Sequence, residues 1–246
     1  MEIIFNNKPI PQDFTAWQTA FNGDPVKRKR QWGQDNAPDR GARCLAHYIC
    51  DMQGMQTIHS CVEEIVGPVS VNTIYPEAHV KFDEINGKRN HDLAFFSDEK
   101  KVFISIEAKV AEAFGKTFTY WLKKRDSQDR RDRRDSLMAF FGVDDDTLYN
   151  QLLFGLKSTI TGILSTGEQM LGAIDNVDYH IMLVMVFDTP EAKKYKITNN
   201  KKEFDRFVNE IGATRVNGIE SCECYLVPIG QNNYIAYKKV SYPASR

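Results

Sequence analysis

The chain has 246 residues, 42% of them hydrophobic, and a formal net charge of −1, which allows one sizeable core and excludes a polycation that binds nucleic acid over its whole surface. No apolar run approaches the ~20 residues needed to span a bilayer, and the opening MEIIFNNKPIPQDF lacks a basic segment followed by a long apolar stretch, so neither a membrane span nor a secretory signal is expected. The five cysteines, Cys44, Cys50, Cys61, Cys222 and Cys224, are an odd set without such a signal, which points to a reducing cytoplasm.

Ile3, Ile4 and Phe5 predict a short strand, and Phe14, Trp17 and Phe21 recur at helical spacing. Asp39 is placed to cap a helix from Arg40 to about Met52, and a second helix from Met55 to Val66 stops at Gly67-Pro68. Val69 to Phe82 reads as a strand, broken at Pro76. Leu93–Phe96 and Val102–Ile106 are two short apolar strands, and residues 116–141 form two helical pieces. Asp144-Asp145-Asp146 is a helix entry, with a helix from Thr147 to about Leu164. His180 to Phe187 is almost continuously apolar and predicts a strand buried on both faces. A short helix over Lys201–Ile211 and two strands, Cys222–Ile229 and Tyr234–Val240, complete the chain. There is no internal repeat or linker, so residues 1–246 read as a single α/β domain.

The stretch HDLAFFSDEKKVFISIEAKV carries the chemistry. Asp98, Glu99, Lys100 and Lys101 make a polar four-residue connection suited to a hairpin. If Ser97 pairs with Val102, then Phe96 falls opposite Phe103 and Asp92 opposite Glu107. Opposed residues share a face, with Cβ atoms roughly 4.5–5.5 Å apart. Glu107 and Lys109 differ by two and share that face as well. A one-residue slip would send them apart. Two carboxylates bind a hard divalent cation such as Mg²⁺ or Mn²⁺ and leave positions for phosphate and water. Lys109 then orients the water or offsets charge on phosphorus, and is a general base only if its pKa is strongly depressed. The plainer alternative is a surface hairpin with charged ends. Against it, Glu107 and Lys109 close a strongly apolar strand.

The order helix, three strands, helix, buried strand, with Asp92 and Glu107-Ala108-Lys109 on the central hairpin, resembles the PD-(D/E)XK nuclease superfamily and its restriction-endonuclease-like fold. Residues 75–115, YPEAHVKFDEINGKRNHDLAFFSDEKKVFISIEAKVAEAFG, are similar to an uncharacterised bacterial branch of restriction-endonuclease-like proteins. The features that carry the resemblance are His91-Asp92-Leu93, Glu107-Ala108-Lys109, Glu112 with Phe114-Gly115, and the later Tyr149-Asn150-Gln151-Leu152-Leu153. It implies a core over about residues 40–190, with a central mixed sheet flanked by helices. N-terminal helices and a C-terminal extension over 191–246 are additions to that core. It implies Asp92 and Glu107 as ligands of Mg²⁺ or Mn²⁺ and Lys109 as the catalytic lysine. Asn90-His91 stands where the literal motif has a proline. Glu63, Glu64 and Glu77 are candidates for a further acid, with Glu77 favoured because it lies in the matching stretch. Gln151 and Tyr149 are candidates to line the site. The implied function is metal-dependent phosphodiester hydrolysis of nucleic acid, with DNA favoured, and a homodimer for double-strand cleavage. The alternative is a non-catalytic binding module that keeps the fold.

Two basic runs are candidate phosphate contacts. Lys27-Arg28-Lys29-Arg30 has no interleaved acid and is the better one. KKRDSQDRRDRRD, residues 123–135, mixes seven basic with four acidic side chains and equally suits a solvated, ion-paired helix face. Cys44, His47 and Cys50 form C-x-x-H-x-x-C, read as core packing in preference to zinc ligands, and Cys222-Glu-Cys224 is read as packing too. No nucleophile-elbow, P-loop or dinucleotide-binding motif occurs.

Overall fold

A computed structural model describes residues 1–22, 41–83, 88–99, 101–110, 112–190 and 194–242. The chain opens with a tight hairpin, β1 (Glu2–Phe5) and β2 (Lys8–Ile10), turned by Asn6 and Asn7, both at positive φ (48° and 66°), a region asparagine tolerates. Helix α1 (Phe14–Asn22) buries Trp17 and Phe21, as their spacing requires. Helix α2 (Gly41–Asp51) buries Leu45 and Ile49, and α3 (Gly54–Val66) buries Ile58 and Val62. Gly67, at φ 86°, ends α3 by donating its N–H to Glu63 O. The predicted cap Asp39 and the basic run Lys27, Arg28, Lys29 and Arg30 lie outside the described residues.

The stretch 69–82 is two strands in two different sheets, β3 (Thr73–Pro76) and β4 (His79–Lys81). The break falls at Glu77, whose φ of 52° turns the chain just after Pro76. A three-residue strand that sequence periodicity does not reveal, β5 (Lys88–Asn90), precedes the hairpin of β6 (Leu93–Phe96) and β7 (Val102–Lys109). That hairpin has the expected register: Phe96 pairs with Phe103, Leu93 with Ile106, and Ser97 N–H donates to Val102 O at 2.9 Å.

Helices α4 (Phe118–Lys124) and α5 (Gln128–Phe141) are the two predicted pieces. Helix α6 (Asn150–Ile160) is shorter than expected at both ends. Asp145 does not cap it; its side chain accepts from Thr147 N and Oγ1 in a local turn, which holds the chain out of helix. Gly162, at φ 128°, then diverts the chain into a hairpin of β8 (Ile163–Thr166) and β9 (Gln169–Ala173). Strand β10 (Tyr179–Asp188), helix α7 (Lys194–Glu210), and strands β11 (Thr214–Arg215), β12 (Glu223–Leu226) and β13 (Asn233–Ser241) follow.

Among the described residues the large sheet has nine strands in the order β11-β12-β13-β10-β7-β6-β3-β1-β2, and a second sheet runs β5-β4-β8-β9. Strand β10 lies between β13 and β7, parallel to both, which explains its unbroken apolar run. The predicted C-terminal strands join this same sheet. The protein is mixed α/β, with a large mixed central sheet and seven helices among the described residues. No helix among them is long and apolar enough to cross a membrane.

All eight residues of β7 are buried, but its two faces differ. Ile104, Ile106 and Ala108 belong to the main core. Phe103 packs with Ala94, Phe96, Val80 and Leu164 in a smaller core facing the second sheet. Ser105, two residues on, meets Thr159 of α6 through their hydroxyls at 2.6 Å. Glu107 and Lys109 continue that same face by the two-residue period of a strand. The second sheet and α6 thus define the space into which the acid and the lysine project.

Candidate metal and phosphate site

The β7 face ends in a cavity of about 280 Å³. Asp92, Glu107, Lys109, Glu77 and Gln151 all line it, with Arg89, Glu112 and the N-terminal residue of α2, Gly41. Five side chains singled out in the sequence are therefore brought together. Tyr149 is not; it packs against the core beside Thr117. Glu63 is exposed on α3, and Glu64 is spent on a distant loop, accepting from Glu220 N and Ser221 N.

Each side chain is held by a local cause. Asp92 sits one residue before β6, and its Oδ2 accepts from Ala108 N at 2.7 Å, across the hairpin. The Glu77 N–H donates to Asp92 O at 3.2 Å, which places the Glu77 turn against the same strand end. Glu77 itself is only 2% exposed. Glu112 braces the far wall: its Oε1 accepts from Gly41 N at 2.9 Å and its Oε2 from Val110 N at 3.0 Å. Gly41 must be glycine for packing reasons. A Cβ there would lie 2.0 Å from Ala108 O.

Glu107 is the electrostatic centre. Its Oε1 meets Lys109 Nζ at 2.7 Å, and its Oε2 is paired with Arg89 of β5. Burial alone would raise its pKa, but the two cations win and hold it down at about 2. Asp92 goes the other way. Burial, then the neighbouring charge of Glu107, push it up to about 7 against the pull of Lys109 and the Ala108 N–H. Burial opposes the charge on Lys109, yet Glu107 and Asp92 raise its pKa above the ordinary value, so it stays an ammonium and is not a general base. His91 is fully buried; its Nε2 donates to Ser158 Oγ at 3.0 Å, since that hydroxyl itself donates to Phe154 O. Burial and the Arg89 charge push the imidazole down to about 3, so it is neutral.

At the cavity, Arg89 Nε and Gln151 Oε1 are buried without a hydrogen-bond partner among the described residues. Arg89 was not visible to sequence reasoning. It lies on a short polar strand with no apolar alternation, three residues from Asp92, an offset that does not put two residues of one strand on one face. Glu112 was marked only through the family resemblance, and Gly41 not at all.

Asp92 and Glu107 could hold a divalent cation. They offer two hard oxygen donors to one cavity, a set that suits Mg²⁺ or Mn²⁺, which keep several waters. Among the described residues no three or more His, Cys, Asp and Glu side chains are gathered into a full metal cage. Cys44 is buried in the core, and His47 bonds Tyr242 Oη at 2.6 Å and Asp51 at 3.3 Å.

The basic run 123–135 is largely neutralised by acids. Arg131 pairs with Asp126, Arg133 with Asp83, and Arg134 with Asp135, Asp144 and Asp146. Arg130 stacks over Trp121 at 4.6 Å. Neither a curated protein nor a solved structure matches the chain. A family model does match, over residues 14–231, and the chain belongs to that family, described as a domain of unknown function, DUF6946.

Proposed function

We propose that this cavity is a metal-dependent phosphodiesterase site within a restriction-endonuclease-like core, acting on nucleic acid, with DNA favoured. The observation that supports it most is the convergence of Asp92 and Glu107 on one cavity, with Lys109 bonded to Glu107 at 2.7 Å. Asp92 and Glu107 would hold Mg²⁺ or Mn²⁺. The bound ion supplies charge neutralisation at a phosphoryl oxygen and a more acidic water.

The chain's own residues do the rest. Burial and Glu107 oppose a charge on Asp92, a penalty that a bound divalent cation would relieve. Lys109, kept protonated, offsets negative charge as it builds on phosphorus. Glu77 and Glu112 fix the walls, and Gln151 presents an amide oxygen able to accept from water or a sugar hydroxyl. His91, neutral and engaged with Ser158, supports the site from behind.

The test is cleavage of plasmid and oligonucleotide DNA and of RNA by the purified chain in Mg²⁺ and in Mn²⁺, with calorimetry for the metal. Cleavage lost in both Asp92→Ala and Glu107→Ala supports the reading. A second reading, a non-catalytic binding module, draws on the double pairing of Glu107 by Arg89 and Lys109, which already satisfies that carboxylate. Residual cleavage equal in wild type and Lys109→Ala would mark contamination and favour that module.

A further inference from the structure

We propose that Arg89 is an exchangeable counter-ion. It holds Glu107 while no metal is bound, and passes to a substrate phosphate once a divalent cation takes that carboxylate. The inference rests on the metal-site reading above and assigns a role to a residue outside the Asp-Glu-Lys set.

Three observations carry it. First, Arg89 pairs with Oε2 of Glu107, while Lys109 takes Oε1. A cation entering at Glu107 must therefore compete with one of these two side chains. Lys109 belongs to the same strand as Glu107, two residues away, and its side chain is 7% exposed, whereas Arg89 reaches across from β5, in the other sheet, and is the more accessible of the two at 15%. Second, the guanidinium is not saturated. Its Nε is buried without a hydrogen-bond partner among the described residues, although arginine presents five donors in a fixed fork. A donor left dry costs free energy unless a ligand satisfies it. Third, Arg89 lines the cavity together with Asp92 and Glu107, so its fork lies where a phosphate would approach the two carboxylates. Planar bidentate recognition of carboxylate and of phosphate uses the same geometry, which makes the exchange chemically conservative.

The exchange leaves Arg89 with an anionic partner in both states. In the free protein the guanidinium and the ammonium oppose Glu107 and Asp92. In the loaded protein the divalent ion takes over the carboxylates, and the released guanidinium meets the added phosphate charge. Arg89 would thus couple metal entry to substrate binding, each step making the other easier.

The test measures Mn²⁺ binding by calorimetry without nucleic acid, and binding of a fluorescent DNA duplex in EDTA. Arg89→Gln is expected to bind Mn²⁺ about tenfold more tightly than wild type, because the competing cation is gone. In EDTA, Glu107→Gln is expected to bind the duplex several-fold more tightly than wild type, because Arg89 is freed. Made in an Arg89→Gln background, Glu107→Gln should give no gain over Arg89→Gln alone, which assigns the gain to Arg89 and not to the lost negative charge. Mn²⁺ affinity unchanged or weakened in a folded Arg89→Gln overturns the exchange, as does a duplex gain that persists in that background. Should Arg89→Gln fail to fold, the Glu107→Gln arm with an Arg89→Lys/Glu107→Gln partner decides the same point. Failure of the metal reading is separately visible: wild type and every Arg89 variant would then bind no Mn²⁺, and the exchange falls with it.

Discussion

Arg89 and Glu107 stand in different sheets, and their ion pair joins the short strand β5 to the end of the central strand β7. The site is therefore a seam. One wall is the hairpin that carries Asp92, Glu107 and Lys109; the other is the second sheet, reached through the turn at Glu77. At the same end of β7, Gly41 of α2 approaches the Ala108 backbone so closely that a Cβ there would lie 2.0 Å from Ala108 O.

Lys109→Ala should lower turnover by about 10²–10³-fold, the range for removing one electrostatic donor to a transition state, while sparing metal binding. Glu107 keeps Arg89 as a partner in that variant, so the fold should survive. Asp92→Ala and Glu107→Ala should lose both turnover and metal binding. Single-turnover cleavage and Mn²⁺ calorimetry check the division, and parallel loss of metal affinity in Lys109→Ala would refute it.

The raised pKa of Asp92 gives a signed pH effect on the metal-free protein. Its folded pKa, about 7, lies above its ordinary 3.8, so its contribution to stability is complete below pH 3.8 and is lost as pH rises through 7. Glu107 has the opposite sign: its folded pKa of about 2 lies below 4.5, so it stabilises above pH 4.5 and fails as pH falls through 2. Asp92→Asn removes the first effect and keeps an oxygen for the Ala108 N–H. In EDTA its melting temperature should exceed that of wild type at pH 8 and approach it at pH 4, at roughly 2–4 °C for each kcal/mol. Thermal melts across that range decide it; a difference that does not change with pH is the contrary result.

Gly41→Ala places a methyl group 2.0 Å from Ala108 O and 2.8 Å from Lys109 N. Backbone cannot step aside as a flexible side chain can, so α2 must lift from β7. The expected loss is about 1–3 kcal/mol in urea denaturation, the usual cost of overpacking. Because Gly41 N also donates to Glu112, the metal affinity should weaken as well. An alanine variant as stable as wild type would show that this close approach is not required.

Charge removal at Lys27, Arg28, Lys29 and Arg30 should weaken duplex binding and lower the log–log salt slope by about 0.9 for each phosphate that is no longer neutralised. Removal of Arg133 and Arg134 should leave the slope nearly unchanged, because both are already paired with acids. Titrations at several salt concentrations separate the two runs. Equal slope changes would mean that the ion pairs of α5 open on DNA binding.

The hairpin was legible from residues alone because its constraint is local. A four-residue polar turn between two apolar runs sets the register in which Leu93 pairs with Ile106, and one step beyond it brings Asp92 to Glu107. The buried strand β10 was legible for a similar reason: a strand covered on both faces must be apolar throughout. The end of α6 was not, since Gly162 and the β8–β9 hairpin stop the helix at Ile160, short of the expected Leu164. Nor was Arg89. A polar three-residue strand carries no periodic signal, and its ion pair with Glu107 exists only because two sheets, specified by distant segments, close against each other. Sequence by itself determined which carboxylates face together. Tertiary structure decided which cations oppose them, because counter-ions recruited across a sheet boundary depend on how separate elements pack.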